Sequence, residues 1–292
     1  MANEDPDLAA LRREVDRIDD AMHDLLIERT ELAQRISKAK RDEPGGAPAH
    51  FVPTRPGREA QIVRRLLARH RGAFPPEVLI RLWREMIGTL MHVQGPFCVA
   101  VFMPERGSGY IEIARDHYGS YTETVSYQVS GRVLKAVAEG AAAVAVLPLP
   151  GESVSEPWWL ALIGDATPRM QVIARLPFAG VGPGRGGDIE AFAVAPVAPG
   201  ETGEDRSLLA VETVSSVSRS QVATKLANAG LKLLTYWDVR SFGPEAKVHL
   251  VEVDGFVTDS DPRVVRLAHG NDDSLRYARC IGAYPTPLHC AR

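Results

Sequence analysis

What this chain lacks narrows it first. Cysteine is scarce: Cys98, Cys280 and Cys290 are the only three, widely spaced, without metal-ligand spacing and without the even count of a disulfide framework. A reducing, cytoplasmic setting is the expectation. The eight histidines are scattered with no H-x3-H pair, so no metal site is expected. No strong charge of one sign is present either. A net charge of -3 gives no reason to expect nucleic acid or an acidic membrane surface as partner. No apolar run approaches the roughly 20 residues that span a bilayer. The opening MANEDPDL is acidic where a signal peptide would be basic and then apolar. There is no internal repeat and no low-complexity segment. The remainder is of ordinary soluble globular composition, 45% hydrophobic and 24% charged over 292 residues, long enough for two or three domains.

Proline and glycine are missing from Asp7 to Lys40. That stretch is built almost entirely from good helix formers. Its apolar residues keep a 3-4 stride through Leu8, Leu11, Val15, Ile18, Met22, Leu25, Leu32 and Ile36, and Arg29 fills the one place in the stride that is not apolar. The predicted helix is about 50 Å long. So narrow a seam over such a length needs another long helix as cover. Nothing else in the first hundred residues is long enough, which predicts a homodimer.

The turn residues of 41–57 mark a connecting loop. REAQIVRRLLARHRG then reads as a second helix stopping at Gly72, and a third begins at Pro75-Pro76 and ends before Gly95-Pro96. From Phe97 the period changes. Strand-like and helix-like segments alternate to about residue 197 and predict a small α/β layer with a largely parallel sheet. Within it GVGPGRGG is glycine-rich but precedes a strand, so a phosphate-loop reading has little support. After a polar linker at 199–205, strand and helix signals follow the order βαββαβ of a ferredoxin-like split unit.

Four polar groups sit on helical faces that otherwise exclude them: Arg29, Lys40, Glu59 and Gln94. Lys40 returns to within roughly 20° of Arg29, about 16 Å along the axis, so both can converge on one small dianion. Arg12 lies about 25 Å away and about 100° round the helix, out of reach except from an antiparallel partner. Plainer readings stand beside this. Arg29 could pair with Glu28 or Glu31, Lys40 could be a solvated helix-end cation, Glu59 a favourable first-turn acid, and Gln94 a helix-end residue.

LRREVDRIDDAMHDLLIERTELAQRISKAK, RPGREAQIVRRLL and RLWREMIGTLMHVQG together resemble the all-helical class of chorismate mutase over residues 8–95. The resemblance implies an intertwined dimer that converts chorismate to prephenate without a cofactor. It also implies roles. Arg12 comes from the partner chain, Arg29 and Arg58 hold the two carboxylates, Lys40 and Gln94 donate to the ether oxygen, and Glu59 binds the ring hydroxyl. Two positions depart from the family: Arg55 stands where an aspartate is common, and Leu90 where a serine is common. The loss of the serine predicts weaker substrate binding.

Further along, VLKAVAEGAAAVAVLPL resembles the strand-helix-strand segment of prephenate dehydratase, and VHLVEVDGFVTDSDPRVVRL with CIGAYP resembles the second half of its regulatory ACT domain. The dehydratase's Thr-Arg-Phe motif is replaced by Glu190-Ala191-Phe192. The effector motifs are replaced by Ser220-Gln221-Val222 and Asp238-Val239-Arg240-Ser241, with Arg240 read as a surface cation.

The whole is thus expected to be multidomain: a three-helix mutase domain (1–95), a truncated dehydratase-like α/β domain (96–200) and an ACT-like domain (201–292). The function expected is a cytoplasmic, dimeric chorismate mutase of aromatic amino-acid biosynthesis that has lost dehydratase activity. The alternatives are a bifunctional mutase/dehydratase and a non-enzymatic ACT-type regulatory or interaction protein. An aromatic amino acid is the effector that the ACT resemblance implies.

Overall fold

A computed structural model describes residues 6–42, 52–105, 108–151, 156–179, 189–241, 243–269 and 274–288. The glycine-rich GVGPGRGG lies outside the described residues. Three helices open the chain: α1 (Pro6–Asp42), α2 (Pro56–Arg69) and α3 (Pro76–Gln94). Proline occupies the first turn of α2 and of α3, where its missing N–H costs no intrahelical bond.

The following elements are β1 (Cys98–Phe102), α4 (Gly109–Tyr118), β2 (Glu123–Tyr127), α5 (Ser130–Ala138), β3 (Val144–Pro148), β4 (Gln171–Leu176) and β5 (Ala191–Ala195). They continue with β6 (Asp205–Val214), α6 (Arg219–Asn228), β7 (Leu233–Ser241), β8 (Ala246–Asp254), α7 (Pro262–His269) and β9 (Leu275–Pro285).

The strands do not form the two separate sheets that the alternation predicts. They join one nine-stranded sheet in the order β2-β1-β3-β5-β4-β9-β6-β8-β7. The expected largely parallel layer is also mixed. β1 is parallel to β2 and β3, whereas β5 is antiparallel to both β3 and β4. The reason is local. A parallel pair needs a crossover, usually a helix, and the glycine-rich sequence between β4 and β5 carries no helical period. The segment from β6 to β9 does take the order expected of a split βαββαβ unit. The two halves meet where β4 and β9 run parallel at Val172 and Gly282. A Cβ at Gly282 would lie 2.3 Å from the Val172 carbonyl oxygen, so only glycine permits this approach.

The stretch read as a linker is ordered at its end. Asp205 is buried, and its carboxylate accepts from the Thr202 N–H at 2.7 Å and the Thr202 hydroxyl at 2.6 Å. The loop after β3 holds a short 3-10 turn, Trp158–Leu162. Its Trp158, Trp159 and Leu162 enter one core with Leu208, Leu250 and Ile281. On the opposite face of the sheet, Ile87 and Met91 of α3 share a core with Ile113 and Tyr118 of α4. That packing is close: a Cβ at Gly88 would meet the Tyr118 carbonyl oxygen at 1.8 Å.

Candidate active site

The seam of α1 finds no cover within the described chain. Leu11, Met22 and Leu25 are 60%, 61% and 64% exposed, and Leu8, Val15, Ile18, Leu32 and Ile36 are also exposed. So contiguous an exposed apolar row is more than the scattered apolar residues of an ordinary surface. Towards its C-terminal end α1 turns inward, through half-buried Arg29, Thr30 and Ala33 and buried Ser37. The Ser37 hydroxyl donates to the Gln94 carbonyl at 3.5 Å, which docks this end of α1 on the end of α3.

Arg29 makes no hydrogen bond or ion pair with any described residue, so the pairing with Glu28 or Glu31 is not formed. Burial without an opposing carboxylate lowers its pKa from the ordinary arginine value. Lys40 belongs to the last turns of α1, and its side chain lies outside the described residues. Arg12 is exposed on the outer part of the same helix. The Gln94 amide is half-buried and donates to the Leu90 carbonyl at 3.1 Å. Leu90, read as a departure from the resemblance, is itself buried.

The start of α2 is organised by Glu59. Its Oε1 accepts from the Thr54 hydroxyl and from the Arg55 N–H, each at 2.8 Å. Its Oε2 accepts from Arg84 at 3.0 Å. Arg55, the N-cap residue, therefore contributes through its backbone, and its guanidinium turns back to the Val52 and Thr54 carbonyls. Arg58 is exposed. Of the expected site residues, Leu90 and Gln94 lie at the end of α3 on which Ser37 docks α1, and Glu59 is buried between α2 and α3.

Arg84 was missed by sequence reasoning, although a signal existed. Ile80, Arg84, Ile87 and Met91 are the buried stripe of α3, and a charge in such a stripe needs a partner.

In the C-terminal half, Arg240 is not the surface cation expected. Its Nε donates to the buried Asp238 carboxylate at 2.8 Å and its Nη2 to the Gly151 carbonyl at 3.0 Å. The reading failed because the partner sits two residues away, on the same face of the strand. At the place of the dehydratase motif, Glu190 forms a two-point pair with Arg175, both contacts at 3.0 Å. Ala191 and Phe192 there are fully buried.

Comparison with known proteins agrees with the helical part. Residues 11–95 match the family model described as chorismate mutase type II, and the N-terminal helices carry that domain. Curated relatives bear the description bifunctional chorismate mutase/prephenate dehydratase. The one from Pseudomonas aeruginosa is 30% identical over 151 residues, covering 51% of this chain and 40% of the relative. The one from Aquifex aeolicus is 34% identical over 103 residues, 34% of this chain and 27% of the relative. The chain therefore spans well under half the length of these relatives. Among solved structures, prephenate dehydratase from Streptococcus mutans is similar over 64% of this chain and 97% of that one, with a TM-score of 0.45 and 14% identity. The prephenate dehydratase from Arthrobacter aurescens in complex with L-Phe gives a TM-score of 0.45 and 14% identity, over 64% of this chain and 90% of that one. Among the described residues, no helix is long and apolar enough to cross a membrane.

Proposed function

We propose that this chain is a chorismate mutase working as a homodimer through its N-terminal helices. The observation that carries the reading is Arg29, a half-buried guanidinium without a partner among the described residues, inside the segment that matches the mutase family. A desolvated cation in a seam is a seat for an anion, and arginine is suited to carboxylates through two-point contacts.

In this reading Arg29 and Arg58, with Arg12 of the partner subunit, hold the two carboxylates of chorismate. Lys40 and Gln94 donate to the ether oxygen, Glu59 accepts from the ring hydroxyl, and Leu90 offers only an apolar wall. The reaction is an intramolecular rearrangement in which a C–O bond breaks as a C–C bond forms. It asks for no nucleophile, no proton transfer and no cofactor. It asks for the compact substrate conformer, held by the arginines, and for donors where negative charge grows on the ether oxygen. The exposed seam on α1 supports the dimer, because its cover is a second copy of itself.

The C-terminal half is, in the same proposal, a shortened dehydratase-like layer followed by an ACT-like unit, without dehydratase activity. Glu190, engaged by Arg175, and the buried Ala191 and Phe192 offer neither the hydroxyl nor the cation of a Thr-Arg pair. A second reading, a bifunctional mutase/dehydratase, is favoured by the descriptions of the relatives. One experiment tests the first: the fall of chorismate absorbance with the purified chain, with and without phenylalanine or tyrosine. Supplying prephenate and looking for phenylpyruvate separates the two readings.

A further inference from the structure

The buried stripe of α3 holds one charge, Arg84, which is 3% exposed. Its Nη1 donates to Glu59 Oε2 at 3.0 Å, and its guanidinium stands 5.1 Å from the centre of the Phe178 ring, within cation–π range. Phe178 follows β4 and belongs to the α/β layer, where it shares a small core with Ala60, Val63 and Ile80. Two further titratable groups lie in the same junction. Burial, and after it the charge on Arg84, lowers the His117 imidazole well below its usual range. Burial raises the Tyr118 phenol, whose hydroxyl has no hydrogen-bond partner among the described residues. Both are neutral near pH 7, which leaves Arg84 as the charged partner of Glu59.

A buried ion pair is weak grounds for stability, because a pair of apolar groups of the same volume often serves as well. The acceptor count suggests another use. An ionised carboxylate has about four acceptor positions. Thr54 and Arg55 take both on Oε1, and Arg84 takes one on Oε2. One position on Oε2 is taken by no described residue.

We propose that Arg84 is a positioning residue for the mutase site. It fixes Glu59 Oε2 so that the remaining acceptor position meets a hydroxyl of the substrate, and Phe178 holds Arg84 in that pose. The α/β layer is then part of the support of the helical site. This rests on the mutase reading above.

The test uses the full chain and steady-state turnover of chorismate. Arg84→Met should raise KM about tenfold or more, the scale of one hydrogen bond to a charged group, with a smaller change in kcat. Arg84→Lys should recover most of that loss. Phe178→Leu should raise KM in the same direction by a smaller factor at unchanged helix content. The double variant Glu59→Gln/Arg84→Met should be no worse than Glu59→Gln alone, since a residue acting only through Glu59 has nothing further to remove. If Arg84→Met does not fold, the Lys and Phe178 variants carry the test.

An active wild type with an Arg84→Met KM within twofold of it, or independent additive losses in the double variant, would overturn the inference and leave the mutase reading standing. A wild type that does not turn over chorismate removes the mutase reading itself.

Discussion

The indole N–H of Trp159 donates to the buried carboxylate of Asp238 at 3.0 Å, across 79 positions of sequence. Asp238 also receives Arg240, so one carboxylate ties the 3-10 turn after β3 to strand β7. Removing it leaves the Trp159 indole N–H without that acceptor and takes from Arg240 its carboxylate contact, with the Gly151 carbonyl still bound. Asp238→Ala should lower stability by about 3 kcal/mol, the scale for breaking a buried pair from one side, with urea unfolding as the measurement.

Lys40→Met should abolish turnover of chorismate while leaving the helices and the oligomeric state intact, by circular dichroism and sedimentation. The methionine keeps the stem and removes the donor that the proposed mechanism aims at the ether oxygen, and loss of one such donor costs about a hundredfold or more in kcat. Retention of most of the wild-type rate would sink the proposed chemistry.

Leu25 is 64% exposed in the middle of the α1 seam. Full burial of a leucine is worth about 1.5–3 kcal/mol, and a symmetric pairing counts each substitution twice. Leu25→Glu should therefore convert a dimer to a monomer at micromolar concentration in sedimentation velocity. Activity should go with it, because Arg12 acts across the interface in this mechanism.

Leu90→Ser restores a hydroxyl one turn before Gln94. The expected gain is a KM lower by about twofold to tenfold, the yield of a neutral hydrogen bond of about 0.5–1.5 kcal/mol. Leu90 is 6% exposed, so the same change should cost about 2–4 kcal/mol of stability. Kinetics and unfolding, measured on one preparation, read the two effects separately.

His249 supplies a pH dependence. It is buried on β8 and hydrogen-bonded by Thr213 at 2.9 Å and by the Tyr236 hydroxyl. Burial first, then the charges of Lys247 and Arg219, lowers it to about 4 from 6.5. The folded state thus prefers the neutral ring, and the unfolded chain binds the proton more readily. The stability this contributes is complete above pH 6.5 and is lost as pH falls toward 4. His249→Gln should flatten the fall of the urea midpoint between pH 6.5 and 4 relative to wild type, and an unchanged slope would contradict the assignment.

Much of this architecture was legible in the residues. The helices α1 to α3 announce themselves by period and by Pro and Gly at their ends, and the order of β6 to β9 by alternation. The joining of the two half-sheets was not, because Val172 and Gly282 are 110 positions apart and a glycine at a crossing leaves no periodic trace. Arg84 was hidden by its own helix. Val78 and Leu82 are apolar yet 40% and 51% exposed, which widened the apparent stripe and pushed the charge to its margin. Arg29 was legible because its seam is narrow. The Trp158–Leu162 turn had a signal in its run of apolar residues, masked by the prolines and glycines that precede it.

The length of α1 carries one more consequence. A row of apolar side chains with no cover among the described residues would, in the proposed dimer, link the order of α1 to protein concentration by mass action. In the proposed dimer, dilution below the dissociation constant would withdraw the partner's arginine from every site at once. The proposal then predicts a specific activity that falls with concentration, which would make the amount of protein a control on flux in its own right.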